Sequence, residues 1–163
     1  MDAIYTNFLT QLPIFGGINS SLIELIEINS NLICKEKDDA FFREDELADS
    51  LFVLLKGQVV VYKLWEKENH RIAELNEGDC FGEMAIIDHC PRSASVIANA
   101  PSTAMEISVT CFDKLYHEDV KQYALFQMNM AREVSRRLRE ANEHLFQSQF
   151  LSSALPPVKI KLF

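Results

Sequence analysis

Hydrophobic residues at the start of the chain recur with the spacing of helices. Four of them fall at positions i, i+3, i+4 and i+7, which form one face of a helix: Tyr5, Phe8, Leu9 and Leu12. Pro13 closes this helix. A second helix is predicted to begin at Ser21, because Ser21 and Glu24 have the spacing of a capping box.

The pattern changes to short β-branched and aromatic runs separated by Gly, Asp and Asn from about residue 31 to about residue 108. This texture is typical of an all-β barrel or sandwich. The runs predict strands at 32–35, 40–43, 51–55, 59–64, 70–75, 94–100 and 103–108.

Helical spacing returns after Thr110, in a short segment at 112–116 and a long one at about 120–146. Five residues of the long segment alternate spacings of three and four, as in the seam of a coiled coil: Ala131, Val134, Leu138, Ala141 and Leu145. The seam covers about two heptads, fewer than a convincing coiled coil needs. Two interpretations stay open: a homodimer through this helix, or an amphipathic helix packed on its own barrel.

The 163 residues allow one domain with a sizeable core. We assign 1–147 to that domain and 148–163 to a C-terminal tail. The tail contains Pro156 and Pro157, which cannot continue a helix, and then alternates polar and apolar residues over 158–162. That last segment is expected either to pair with a sheet edge or to be disordered.

The formal net charge of −8 implies a mean field that repels polyanions such as DNA and acidic membrane surfaces. Any bound anion must therefore be held locally. The N-terminus lacks the pattern of a signal peptide, and no apolar stretch approaches the roughly 20 residues of a membrane span. We expect a cytoplasmic protein with no membrane partner.

The four cysteines stand far apart without a CxxC pair, so the sequence suggests neither a zinc site nor an iron–sulfur centre. We expect reduced, mostly buried thiols. His89 beside Cys90 is half of a possible metal site, but no second pair accompanies it.

The segment 81–96, FGEMAIIDHCPRSASV, carries the candidate chemistry. Gly82 allows a sharp turn into one or two turns of helix, and the first N–H groups of a helix receive a phosphate oxygen well. Arg92 follows in an otherwise uncharged run, and its guanidinium can form a forked contact with a phosphate. Because Glu83 would repel that anion, it needs another partner, for which a sugar hydroxyl suffices. Together they describe a sugar phosphate pocket.

This segment resembles the phosphate-binding cassette of cyclic-nucleotide-binding domains, which reads approximately FGE-[LM]-A, a variable turn, then PR-[ST]-A-x-V. The family includes the catabolite activator protein and the regulatory subunits of cAMP-dependent kinases. The resemblance continues through FFREDELADSLFVLLKGQVVVYK and IAELNEGDCFGE and covers about 8–145. This chain departs from the family at Asp38 and Asp45, where many members have glycine, and at Leu47, which replaces a common proline.

The resemblance implies a mainly β fold with flanking helices: a double-stranded β-helix (jelly-roll) barrel at about 31–108, N-terminal helices and a long C-terminal helix. By position it places Glu83 on the ribose 2′-OH and Arg92 on the cyclic phosphate. The resemblance also implies ligand contacts from other cassette residues, namely Gly82, Met84, Ala85, Ser93 and Ala94. From the barrel wall it implies contacts by Val61 and Ile72. From the long helix it implies contacts by Arg137 and Asn142, with Ala141 as a further neighbour of the base.

The implied function is a cyclic-nucleotide sensor that signals through its C-terminal helix to a twin subunit or an unknown effector protein. Its ligand is cAMP or cGMP, with cAMP preferred, and no cofactor is implied. The alternatives are a degenerate barrel that acts as an interaction module, and a cyclic di-GMP sensor, which is disfavoured because only Arg92 stands in the cassette. The sequence shows no nucleophile with a partner base, so we do not expect an enzyme. Direct DNA binding is not expected, because a helix-turn-helix domain would need about 60 residues after the long helix.

Overall fold

The computed structural model describes residues 5–151. The alternating segment 158–162 lies outside the described residues. The tail predicted at 148–163 begins inside a helix, because the last helix continues to Leu151, beyond the expected end at about 146.

Helices flank a central set of strands. The helices are α1 (Thr6–Leu9), a 3-10 turn (Pro13–Phe15), α2 (Ser20–Ile28), α3 (Glu83–Asp88), α4 (Val109–Glu118) and α5 (Val120–Leu151). The strands are β1 (Asn31–Lys35), β2 (Ala40–Phe42), β3 (Ser50–Lys56), β4 (Gln58–Trp65), β5 (Glu68–Asn76), β6 (Cys80–Phe81), β7 (Ser95–Ala98) and β8 (Ser102–Ser108). Each predicted strand forms, with its ends within about two residues of the expected ones.

The strands form two antiparallel four-stranded sheets, in the orders β1-β8-β3-β6 and β2-β7-β4-β5. The space between them is filled by one apolar cluster with members from both sheets: Phe42, Phe52, Leu54, Val59, Leu75, Phe81, Val96 and Ala104. The mainly β architecture with flanking helices is the predicted fold class.

Strand β3 is buried on both faces, which explains its continuous apolar sequence. Phe52 and Leu54 point between the sheets, and Leu51 and Val53 point to the helices on the other side. The helical core packs there, with Phe126 of α5 fully buried in it. One strand therefore links the interior of the barrel to the helical layer.

Two helix boundaries, one end and one start, differ from the sequence prediction. The helix predicted through Leu12 ends after one turn at Leu9, and the chain tightens into the 3-10 turn at Pro13. The second helix is capped by Asn19 rather than Ser21: the Asn19 Oδ1 atom accepts the Leu22 N–H at 2.8 Å. Asparagine caps helices as well as serine, so the capping-box spacing was misleading.

Asp38 and Asp45 have φ values of 73° and 67°, the left-handed region in which the family often has glycine. Aspartate tolerates this conformation better than most residues. The two turns therefore form without glycine, as the sequence interpretation required.

No helix within residues 5–151 combines the length and apolar content that a membrane span requires. Over the same residues, no three His, Cys, Asp or Glu side chains come together as metal ligands. All four cysteines are free thiols: Cys80 and Cys111 are buried, but Cys34 and Cys90 are exposed, which corrects the expectation of mostly buried thiols.

Candidate functional site

A cavity of about 170 Å³ lies between the cassette, strands β4 and β5, and helix α5. Its lining combines cassette residues with apolar side chains of the barrel and one arginine of α5: Phe42, Val61, Ala73, Leu75, Phe81, Gly82, Glu83, Met84, Ala85, Arg92, Ser93, Ala94, Val96 and Arg137. We call it the cassette cavity.

Gly82 begins the cassette helix α3 with a φ of 79°. A Cβ atom at this position would stand 2.5 Å from the Arg92 Nη1 atom and 3.1 Å from the Phe42 ring. Glycine is therefore needed here twice, for the left-handed backbone and for the close passage of the guanidinium.

Arg92 is 4% exposed, and its guanidinium lies over the Phe42 ring at 4.1 Å from the ring centroid. Its Nη1 atom donates to the Gly82 carbonyl oxygen at 2.8 Å, and its Nη2 atom donates to the Ser50 carbonyl oxygen at 2.7 Å. The buried Nε–H has no hydrogen-bond partner. A buried donor without an acceptor costs about 1–3 kcal/mol.

The backbone of Arg92 is fixed by the loop between β2 and β3. The Arg92 N–H donates to the Glu46 carbonyl oxygen, and the Asp45 N–H donates to the Arg92 carbonyl oxygen, each at 2.9 Å. The left-handed turn at Asp45 allows this pairing. The loop therefore determines where the arginine enters the barrel.

Glu83 is 3% exposed, and its Oε1 atom pairs with the Arg137 Nη1 atom at 3.2 Å. Burial raises the pKa of the Glu83 carboxyl, and the positive charge of Arg137 opposes this rise. The carboxylate thus already has one charged partner inside the cavity.

Arg137 lies on α5 and bonds two further groups besides Glu83. Its Nη2 atom donates to the Cys80 carbonyl oxygen at 2.6 Å, and its Nε atom donates to Glu133 Oε1 at 3.0 Å. Burial raises the pKa of the neighbouring Cys80 thiol to about 12, so that thiol stays protonated. Arg137 is therefore the point at which the long helix is attached to the predicted site.

The structure brings most of the predicted site residues together. Nine of them line the cassette cavity: Val61, Gly82, Glu83, Met84, Ala85, Arg92, Ser93, Ala94 and Arg137. Met84 is 47% exposed and stands at the opening of the cavity.

Ile72 and Asn142 do not line the cavity. The β4–β5 register pairs Val61 with Ala73 and Tyr62 with Arg71, so Ile72 is the extra residue of a bulge and is 60% exposed. Ala73 takes the expected place of Ile72. Asn142 lies on the exposed part of α5, beyond the last residue that contacts the cassette.

Sequence reasoning missed five residues of the lining: Phe42, Ala73, Leu75, Phe81 and Val96. The period of two along a strand was a usable signal, since Val96 follows the buried Ala94 and Leu75 follows Ala73 on the same face. Phe81 begins the predicted cassette segment 81–96 but was not named as a contact; it lies on the two-residue strand β6.

A larger cavity of about 470 Å³ lies between the 3-10 turn and α5 and contains Arg132, Glu133, Arg136 and Asp79. The Arg136 guanidinium there is paired with Glu133 and Glu140. We place the candidate site in the smaller cavity, because only the smaller one contains a buried guanidinium with an unpaired donor.

The protein-family comparison agrees with this geometry. The family model described as "Cyclic nucleotide-binding domain" matches residues 34–119. The chain therefore belongs to the cyclic nucleotide-binding domain family.

Parts of two protein kinase chains are similar to this chain in sequence. The chain is 29% identical over 98 residues to a cAMP-dependent protein kinase regulatory subunit of Mycosarcoma maydis, covering 59% of this chain and 18% of that protein. It is 35% identical over 97 residues to the cGMP-dependent protein kinase egl-4 of Caenorhabditis briggsae, covering 58% and 13%. These relatives are thus several times longer than their matched part.

The fold also matches solved structures. A cyclic nucleotide-binding domain from Methylobacillus flagellatus superposes with a TM-score of 0.79 and 21% identity, over 95% of this chain and 89% of that one. The likeness identifies the two-sheet barrel as the jelly roll that the sequence implied.

Proposed function

We propose that this chain is a cyclic-nucleotide sensor that binds cAMP in preference to cGMP. The observation that supports the proposal is the buried Arg92 guanidinium: Arg92 lines the cassette cavity, and its buried Nε–H has no acceptor among the described residues. A phosphate oxygen is an acceptor of the right charge for this atom.

The charge on Arg92 also favours an incoming anion. Burial lowers the pKa of Arg92, while the carboxylates of Asp49 and Glu46 act in the opposite direction from outside the cavity. Among the described residues, the hydrogen bonds of its guanidinium go only to Gly82 and Ser50, that is, to neutral oxygens. The desolvated cation therefore lacks a directly bonded carboxylate, and a phosphodiester would supply the missing charge.

Glu83 is the acceptor proposed for the ribose 2′-OH. The Arg137 guanidinium occupies one oxygen of this carboxylate in the structure. The cavity volume of about 170 Å³ is also below the roughly 300–1,000 Å³ of typical small-ligand sites. A nucleotide would thus have to move α3 or α5 as it binds, which couples ligand binding to the position of the long helix.

The apolar lining from Val61, Ala73 and Leu75 suits a purine ring. The Ser93 hydroxyl faces the Met84 sulfur at 4.0 Å, a weak contact that a stronger acceptor can replace. Serine at this position is compatible with either purine, so the preference for cAMP depends on the family resemblance and is part of the proposal.

The proposed output of the sensor is α5. The first half of this helix packs on the domain through Phe126 and Met130, whereas every described side chain from Leu138 to Gln149 is exposed. Leu138 and Leu145 are 59% and 55% exposed and belong to the predicted coiled-coil seam. This exposure supports a homodimer through the second half of α5, with an effector protein as the other candidate partner.

One observation favours the alternative of a degenerate interaction module. The Arg92 guanidinium and the Glu83 carboxylate both have partners from the protein itself. A barrel that never binds nucleotide would look the same if these contacts were permanent. The unpaired Arg92 Nε–H argues for the sensor, because a permanent structure gains stability by pairing such a group.

Isothermal titration calorimetry with cAMP, cGMP and cyclic di-GMP tests the proposal. We expect binding of cAMP, weaker binding of cGMP and none of cyclic di-GMP. Arg92→Ala should cost about 2–5 kcal/mol of binding free energy, because the phosphate would lose its buried cation. Arg43→Ala is the matched control, since Arg43 is exposed and does not line the cavity.

Absence of heat with all three nucleotides, or equal affinity of the Arg92→Ala variant and the wild type, would contradict the sensor and favour the interaction module.

We also propose that the domain has no catalytic activity and acts in the cytoplasm, where its free thiols would stay reduced. Unchanged nucleotide after long incubation, followed by chromatography, is the expected result for a non-enzyme.

A further inference from the structure

A polar cluster on the second sheet borders the cassette at its arginine end. The Lys63 Nζ atom of β4 forms an ion pair with the Glu44 Oε1 atom and donates to the Ser93 carbonyl oxygen at 2.8 Å. The other carboxylate oxygen of Glu44 accepts the Leu64 N–H at 3.0 Å. We call Glu44, Lys63 and Ser93 the cassette clasp.

The clasp brings a second cation next to the cassette residue that follows Arg92. The sequence shows only Arg92 inside the cassette, but the β4 strand brings the ammonium of Lys63 within hydrogen-bond distance of the residue that follows Arg92. Lys63 precedes Leu64 at the end of β4, two positions after Val61, which lines the cavity. Its side chain is 49% exposed, so its ammonium is accessible from solvent beside the cavity.

Glu44 counteracts this cation. The hydrogen bonds from Lys63 and from the Leu64 backbone hold the pKa of the Glu44 carboxyl below its usual value. The carboxylate is therefore ionised at neutral pH and faces Lys63 directly. Its side chain is only 15% exposed, and the Glu44 N–H is itself bonded to the Ser95 hydroxyl oxygen at 2.9 Å, so the carboxylate is held in place.

We propose that Lys63 is a second phosphate-directed cation of the cassette and that Glu44 restrains it, so that this ion pair sets how strongly the site attracts an anion. The inference rests on the proposed function, since it assigns an electrostatic control to the same site. Lys63 acts on the phosphate charge and is not required for the fit of the base.

The charges predict opposite effects for two conservative variants. Glu44→Gln keeps the shape and an acceptor for Leu64 but removes the negative charge, so Lys63 becomes available to the anion. We expect cAMP affinity to rise about 3- to 10-fold, as removal of one nearby charge predicts at an effective dielectric constant between protein and water. Lys63→Gln should lower the affinity by a similar factor.

The dependence of affinity on salt separates an electrostatic role from a structural one. Screening weakens exposed charge interactions, so the fall in cAMP affinity with added NaCl should be steeper for Glu44→Gln than for the wild type and shallower for Lys63→Gln. The variant that combines Glu44→Gln with Lys63→Gln should have the cAMP affinity and salt dependence of Lys63→Gln alone, because Glu44 acts through Lys63. Glu24→Gln, an exposed change of equal charge on α2, is the control and should leave affinity and salt dependence unchanged.

Titration with inorganic phosphate, followed through the Ser93 amide by NMR, makes the test independent of nucleotide binding. The inference is supported if phosphate binds most tightly to Glu44→Gln, less tightly to the wild type and most weakly to Lys63→Gln. This support holds even if no cyclic nucleotide binds and the proposed function fails. If the wild type binds cAMP but the two variants match it in affinity and salt dependence, the proposed function stands and the inference is overturned. Equal phosphate responses in all variants overturn it as well.

Discussion

Gly82 shows how one residue connects backbone conformation to ligand chemistry. Its left-handed φ of 79° starts the cassette helix, and the missing side chain leaves the space that the Arg92 guanidinium fills. Any substitution here therefore acts on stability and on the anion site together.

Gly82→Ala should lower the free energy of unfolding by about 2 kcal/mol, because a left-handed alanine is strained. It should also weaken cAMP binding at least about tenfold, since the new Cβ would displace Arg92. Urea denaturation and calorimetry measure the two effects.

Gly17→Ala is the control for this prediction. Gly17 has a φ of 75°, and its added Cβ would meet only the Leu125 side chain, at 3.3 Å. We expect a similar loss of stability with unchanged affinity. A Gly82→Ala protein that binds cAMP as tightly as Gly17→Ala would show that the position of Arg92 is unimportant.

The Glu83 carboxyl predicts an unusual contribution to the pH dependence of stability. Burial raises the pKa of Glu83, so the folded protein binds this proton more tightly than the unfolded chain, in which the pKa is about 4.3. The contribution to stability is therefore fully present below about pH 4.3 and is lost as the pH rises through the folded value.

Comparison of wild type with Glu83→Gln by urea denaturation, from about pH 4 to about pH 8, isolates this contribution. The stability of the wild type relative to the variant should decline as the pH rises. A relative stability that increases with pH would mean that Arg137 outweighs burial and that the pKa of Glu83 is lowered.

At the scale of elements, α5 combines two environments along one helix. Asn129 is buried and donates to the carbonyl oxygens of Ile14 and Gly16, which fastens the first half to the 3-10 turn. In the second half, the described side chains from Leu138 to Gln149 are exposed. The first half thus holds the helix on the domain and the second half presents a surface.

Leu138→Glu should convert a dimer to a monomer, as measured by light scattering, because it places a charge in the proposed seam. Gln147→Glu adds the same charge on the opposite side of the helix and should leave the dimer intact. A monomeric wild type would refute the proposed homodimer, whatever the variants do.

The sequence predicted elements well where an apolar run or a helical period was long. Strand β3 is a continuous apolar run and α5 has the helical period, whereas the cassette residues were predicted from their distinctive order. The register of β5 was not predictable, since a bulge opposite Val61 replaces Ile72 by Ala73 and no local pattern announces a bulge.

Contacts distant in sequence account for the other differences. Two partners of Arg137, Glu83 and the Cys80 carbonyl oxygen, lie 54 and 57 positions away in the sequence. Likewise, Lys63 reaches Ser93 across the sheet. Sequence spacing predicts neighbours along one element, whereas these pairs depend on how elements pack.

At the scale of the molecule, the net charge of −8 opposes binding to nucleic acids. Fluorescence anisotropy with a labelled DNA duplex at about 50 mM salt should show no binding by this chain, with or without cAMP. Saturable binding that weakens as salt is added would contradict this prediction, because it would require a basic surface that the mean charge conceals.

Because α5 is long, a small movement near the cassette would produce a larger displacement at the distal end of the helix. The helix has 32 residues, about 48 Å, and the part after Arg137 projects about 21 Å. If Arg137 acts as a pivot, a tilt of about 10° displaces the distal end by about 4 Å, close to the width of a side chain. Under the proposed function, the helix would act as a lever arm that pivots at the ion pair between Arg137 and Glu83.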